Sequence, residues 1–234
     1  MNKNRLLLLT FVLAFIGLYI IYEHNKPATY TLTITPAVGT QPLVFNDSRY
    51  PNPGGTGTFS IRAFQFYISN IKLVSDDATY IEPESYHLVR FDNTSKTYTI
   101  TLKEIPNLAY QAIELSIGVD PKANGTITVS GDVNPNSRMA WSWDVGYKFV
   151  LFEGTLDQSE KRTPLVYHIG FDENYASLSF PLQSDTKDLR ANVDIMRMFH
   201  GPSTIDMSQL PTIKFDRKDS QLMSSNYRHM LKLN

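Results

Sequence analysis

A two-residue repeat of apolar side chains runs through most of this sequence. In Thr29 to Thr35, Tyr30, Leu32 and Ile34 alternate with threonines, the pattern of a strand with one buried face. Phe59, Ile61 and Ala63 repeat it, and Phe64, Phe66 and Ile68 continue on the opposite parity. That phase switch predicts a bulge or bend. Further alternation marks Tyr98 to Leu102, Ile113 to Val119, Ile127 with Val129, Leu165 to Phe171 and Ala176 to Leu182. Val145 to Phe152 is apolar at both parities, as in a strand covered on both sides. Val193 to Phe199 reads as the last strand. Turn signals separate the runs: Asn52-Pro-Gly-Gly55, Asn124-Gly125, Gly131 to Asn136 and Gly201-Pro202. Many short strands between such turns predict an all-β chain, an antiparallel β-sandwich. Only the tail differs. Leu222, Met223, Tyr227, Met230 and Leu231 recur near helical spacing behind Asp219 or Ser220, which predicts a short C-terminal helix.

The start of the chain follows another rule. Lys3 and Arg5 precede an uncharged run from Leu6 to Tyr22. A basic start and an apolar stretch of that length read as a secretory signal or a signal-anchor helix. The run ends in large residues, Leu18-Tyr19-Ile20-Ile21-Tyr22, which favours an uncleaved anchor with its basic end in the cytoplasm. The expected organisation is residues 1–26 as signal or anchor and 27–234 as one exported domain. That places it in the periplasm or cell envelope, tethered to the inner membrane by residues 6–22.

Composition removes several functions. The chain has no cysteine, so disulfides, thiolate metal sites and cysteine nucleophiles are excluded. Lys and Arg total 22 against 23 Asp and Glu, which gives no basic footprint for nucleic acid. No phosphate loop, dinucleotide fingerprint, zinc-protease histidine pair or nucleophile elbow occurs. Asp132-Val-Asn-Pro-Asn136 opens like a calcium loop. It then has Ser137 where that loop needs glycine and Trp143 where it needs glutamate, so a turn is the better reading. No catalytic constellation marks out an enzyme.

Three segments can carry chemistry. Met139-Ala-Trp141-Ser-Trp143 leads into Val145, Tyr147 and Phe149. On one strand these side chains share a face, either as a core ladder or as the wall of a site. His168 has the parity opposite to Leu165, Tyr167 and Ile169, so it points away from the core, as a hydrogen-bonded histidine or as a metal ligand. Met196, Met198 and His200 project together at strand spacing. Thioethers with imidazole suit Cu(I), and methionine packing beneath the C-terminal helix is the plainer alternative. A helical segment there would lose the shared face.

In order along the chain stand Val38-Gly-Thr-Gln-Pro-Leu43, Tyr50-Pro-Asn52, Phe66-Tyr-Ile-Ser-Asn-Ile-Lys-Leu73 and Tyr86-His-Leu-Val89. Ile117-Gly-Val-Asp120, Met139-Ala-Trp-Ser-Trp143, Gly146-Tyr-Lys-Phe149 and Glu153-Gly154 follow. His168-Ile-Gly170, Val193-Asp194, Gly201-Pro202 and Asn226-Tyr227 complete the series. In this order the pieces resemble the MbnP-like family, named for a periplasmic protein associated with methanobactin, and closest to its Bacteroidetes-type members. The resemblance spans about residue 30 to the end. It implies a periplasmic β-sandwich with a copper-related role. In characterised members copper is held partly by histidine, and a tryptophan is oxidised to kynurenine by a dihaem partner.

Carried over residue by residue, Trp141 and Trp143 match the family's paired tryptophans, and His168 matches its His-Ile/Leu-Gly motif. Many members have a histidine shortly before the first Val-Gly, where this chain has Pro36. The expectation is an exported copper-binding protein that stores, transfers or senses the metal. Its site centres on Trp141, Trp143 and His168, with Met139 as a soft donor and Met196, Met198 and His200 as a separate candidate. A dihaem peroxidase-like protein is the expected redox partner. The alternative is a metal-free partner-binding module on the same sandwich.

Overall fold

The computed structural model describes residues 15–16, 19, 26–47, 49–126, 129–142, 145–183 and 186–234. Its strands are β1 (Ala28–Val38), β2 (Gln41–Pro42), β3 (Tyr50–Pro51), β4 (Thr58–Val74), β5 (Thr79–Ile81), β6 (Tyr86–Arg90), β7 (Tyr98–Ile105) and β8 (Ala112–Ile117). Helix α1 (Pro121–Asn124) follows. Then come β9 (Ala140–Ser142), β10 (Gly146–Gln158), β11 (Lys161–Gly170), β12 (Ala176–Pro181), β13 (Asp188–Asp194) and β14 (Thr212–Ile213). Helix α2 (Arg217–Tyr227) and β15 (Leu231–Leu233) complete the chain.

Two sheets face each other across one main core. The smaller has the order β15-β13-β1-β2, with β7 also on β1. As the alternation predicts, Tyr30, Leu32 and Ile34 are buried between the sheets while the β1 threonines face outward. The two sheets do not make a purely antiparallel sandwich. β1 runs parallel to β13 from Thr31↔Asp188 to Ala37↔Asp194, and β11 runs parallel to β14. Pro36 fits the middle of β1 because β7 ends opposite Ile34 and β2 begins opposite Ala37. In that gap no neighbour along this edge needs an N–H.

The larger sheet is built around β4. Along one edge β4 pairs with β10 and then β8, along the other with β3, β6 and β5. The predicted phase switch is a bulge: Glu153 lies opposite Ala63 and Gly154 opposite Ile61, with Arg62 as the extra residue. A second shift falls between Ser69 and Lys72, where Asn70 has a φ of 54°. Phe59, Phe152, Tyr167 and Phe199 pack with ring centroids 5.1–6.0 Å apart and close one end of the core. Helix α2 starts three to four residues earlier than its predicted caps: the Asp216 side chain accepts from the Asp219 N–H. Met223 and Tyr227 are buried on its inner face.

β10 carries apolar residues on both faces for the predicted reason. Val150, Phe152 and Leu156 enter the main core. Tyr147, Phe149 and Leu151 enter a second, smaller core on the outer face of the large sheet. There the connection between β8 and β10 folds back over Tyr67 and Leu88 and inserts Val119, Val133 and Met139. The run Val193 to Phe199 is not a single strand. β13 stops at Asp194, whose carboxylate accepts from the Met196 N–H at 3.0 Å and caps a 3-10 turn over Ile195–Met198. Of the short strand expected at Ile127 and Val129, Ile127 lies outside the described residues and Val129 is exposed.

The expected anchor over residues 6–22 also lies, but for Phe15, Ile16 and Tyr19, outside the described residues. Among the described residues no helix is long and apolar enough to cross a membrane.

Candidate functional site

His168 lies on β11 opposite Leu151 of β10, so it projects from the outer face, as its parity predicts. Its ring Nε2 is 3.0 Å from Oε1 of Glu153. Glu153 is two residues along β10 from Leu151, on the same face, and its side chain is only 8% exposed. A buried carboxylate needs partners. Here Oε2 accepts from the Arg62 guanidinium at 2.9 Å and also from Arg138. The β4 bulge supplies Arg62, and the segment leading into β9 supplies Arg138. Lys148 closes the cluster, donating to the carbonyls of Arg138 at 2.7 Å and Ala140 at 3.3 Å.

This arrangement sets the charge states. Burial would raise the Glu153 carboxyl, but the hydrogen bonds from Arg138 and His168 and the two arginine charges hold it below the usual carboxylate range. His168 is lowered, first by burial and then by the charges of Lys148 and Lys214, against the opposing pull of Glu153. A neutral imidazole with one nitrogen tied to a carboxylate is the form that binds metals. With the proton on Nε2, Nδ1 carries the lone pair.

Trp141 is brought to the same place. Its ring lies over Gly170, where an added Cβ would come within 2.7 Å of it. Gly170 and His168 are two apart on β11 and share a face, about 7 Å along the strand. The indole stacks obliquely on Phe171 at 5.3 Å and Phe215 at 5.1 Å, and Arg217 lies 4.3 Å over Phe171. Phe215 is 61% exposed, so this aromatic patch is open to solvent.

The other sequence candidates part from this pair. Met139, Trp141 and Tyr147 do not lie along one strand, because β9 and β10 form a hairpin in which Gly146 pairs with Ser142. Gly146 makes the break with a φ of 87°. Met139 is fully buried in the outer core with Tyr147 and Phe149. Trp143 lies outside the described residues. Met198 is fully buried in the main core, Met196 packs partly against it, and His200 is exposed with Nδ1 3.1 Å from Thr204 Oγ1. The 3-10 turn removes their common face, and the large sheet separates Met198 from His168. Pro36 is buried in β1 of the other sheet, so a histidine there would not reach His168 in this arrangement.

The sequence motifs do not mark Glu153, Arg62 and Arg138 as site residues. The signal was present: Lys148 and Glu153 are charges inside the otherwise apolar run from Val145 to Phe152 and just beyond it. Such charges need buried partners. Among the described residues no group of three or more His, Asp or Glu side chains converges in a way that could hold a metal ion.

The MbnP family model matches residues 27–216. The chain belongs to the MbnP family. Among solved structures, MbnP from Methylosinus trichosporium superposes with a TM-score of 0.54 at 16% identity, covering 77% of this chain and 80% of that one. At that identity the likeness shows the shared fold. No curated protein matches the chain. Within this MbnP-family fold, His168, its carboxylate and Trp141 lie on the outer face of the large sheet.

Proposed function

We propose that this MbnP-family chain is an exported copper-handling protein, held at the inner membrane by residues 6–22, that receives or passes on the metal at the outer face of its large sheet. The observation that carries the reading is the pairing of His168 with Glu153 beside the Trp141 ring. The carboxylate fixes the imidazole and its tautomer, burial keeps it neutral, and the aromatic wall limits water at one side. A single nitrogen donor suits transient hand-over better than closed storage, since Cu(I) there would draw its other ligands from a carrier. Copper is thus the cargo. Trp141, solvent-accessible beside the histidine, is the side chain open to oxidation by a dihaem peroxidase-like partner, with Trp143 as its sequence neighbour.

A second reading is supported by the cations. Arg62, Arg138 and Lys148 crowd the carboxylate bonded to His168, and like charge opposes a metal cation. On that reading the sandwich is a metal-free module that docks a protein partner. An anaerobic Cu(I) competition titration of the full-length chain separates the two. Binding of about one Cu(I) per chain, weakened at least tenfold in His168→Ala, supports hand-over. Binding no tighter than to a histidine-poor control removes copper from the function.

A further inference from the structure

The fold-back segment leaves a second open area on the outer face of the large sheet, on the β4-β8-β12 side, away from His168. There a groove of about 730 Å³ runs over the strands, within the size range of small-molecule sites. Its floor is rigid. Ser116 of β8 and Ser177 of β12 are directly paired, with their hydroxyls 3.1 Å apart. Beside them Lys72 and Glu114 face each other across β4 and β8 at 3.8 Å.

One end of the groove is built by the bulge at Asn70. The left-handed backbone there turns the Asn70 amide toward two acceptors, Oδ2 of Asp120 at 3.2 Å and the hydroxyl of Tyr175 at 2.6 Å. Asn tolerates that conformation better than most residues. Tyr86 donates to the same Asp120 oxygen at 2.5 Å. Asp120 Oδ1 is occupied by the backbone N–H groups of Lys122 and Ala123 at the start of α1. Tyr175 is held edge-on against Phe149 of the outer core. Because its oxygen accepts from Asn70, its own proton is available to donate into the groove. The serine pair likewise uses one hydroxyl proton and leaves the other.

The lining selects by chemistry. Lys72 and Lys122 are matched by Glu114 and Asp120, so neither an anion nor a cation is favoured. The serine hydroxyls and the carboxylates disfavour a hydrocarbon ligand. What remains is a neutral molecule that both donates and accepts hydrogen bonds every few ångströms, as the hydroxyl groups of a sugar do. We infer that this groove binds a neutral saccharide of about disaccharide size, at a site independent of His168.

Saturation-transfer NMR on the full-length chain, in buffer free of sugar-based detergent, tests this with cellobiose, maltose, N,N′-diacetylchitobiose and the corresponding hexasaccharides, and with digalacturonate as a charged control. The expected result is saturation transfer to at least one of them. Transfer to a disaccharide points to a free sugar, and transfer to a hexasaccharide alone points to a segment of a longer glycan. Ser177→Trp, which fills the groove from an exposed edge-strand position, should weaken binding at least tenfold. Tyr175→Phe should weaken it severalfold, and Arg62→Ala should leave it unchanged. Three results overturn the assignment: no transfer to any of the six neutral sugars, transfer undiminished in both groove variants, or binding confined to a charged sugar such as digalacturonate.

Discussion

Glu153 holds the imidazole of His168 by its Nε2 at 3.0 Å, and two arginines from different segments hold Glu153. The carboxylate is therefore the joint of the site: it ties β10, β11, the β4 bulge and the segment before β9 to one point. Replacing it by glutamine keeps the volume and removes the charge. Arg62 and Arg138 are more than half exposed and can turn to water. The expected loss in Glu153→Gln is about 1–3 kcal/mol of unfolding free energy, read by urea denaturation. A change below a few tenths would show that the cluster does not hold these segments together.

The lowered His168 predicts a pH dependence of definite sign. Its ordinary value is 6.5 and burial lowers it in the folded chain. Between those two values the unfolded chain binds more protons, so stability falls as the pH drops. The contribution is fully present above about pH 6.5 and is lost as the pH falls through the folded value. Denaturation at steps from about pH 8 to about pH 5 stays above most of the carboxylate range. The wild-type curve should fall over that interval, and His168→Gln should flatten it.

Gly170 predicts a linked pair of effects. A methyl group there would overlap the Tyr147 carbonyl oxygen and come within 2.7 Å of the Trp141 ring. The carbonyl belongs to the β10 backbone and cannot move cheaply. Gly170→Ala should therefore cost about 1–3 kcal/mol and displace the indole from Phe171 and Phe215. In a Trp143→Phe background, where Trp141 is the sole indole, its emission should shift to the red. Unchanged emission with unchanged stability would contradict the packing of Trp141 on β11.

Two adjacent residues separate packing from chemistry just after the 3-10 turn that follows β13. Phe199 is fully buried within the aromatic group at the end of the core. Phe199→Ala should cost about 3–5 kcal/mol. His200 is exposed and bonds only locally to Thr204, so His200→Ala should stay within about 0.5 kcal/mol. The same variant should leave any Cu(I) affinity unchanged. A tenfold loss of affinity would restore the methionine–histidine cluster as a metal site.

Period-two patterning made most of the strands legible, because a sheet with one buried face forces it onto the sequence. It made β10 legible too, since two cores require two apolar faces. The direction of pairing left no such mark. Tyr30, Leu32 and Ile34 would look the same beside a parallel or an antiparallel neighbour, so the β1–β13 pairing was not readable. The end of β13 is hidden in the sequence because Met196 and Met198 fit strand spacing, while the Asp194 side chain that caps the next turn acts through one hydrogen bond. Parity alone puts His168 on the outer face. The role of Glu153 is not legible in that way, because it depends on arginines 91 and 15 residues away in sequence.

Thr31 and Asp188 are sheet partners 157 residues apart, joined also through their side chains at 2.8 Å. Closing a loop of that length costs about 2 kcal/mol more in chain entropy than closing a ten-residue hairpin. High contact order of this kind slows folding. A chain emerging with its N-terminus first holds its first strand open on that side until Asp194 has arrived. β1, the first strand of the sandwich to be made, is thus among the last to gain the neighbours of both its edges.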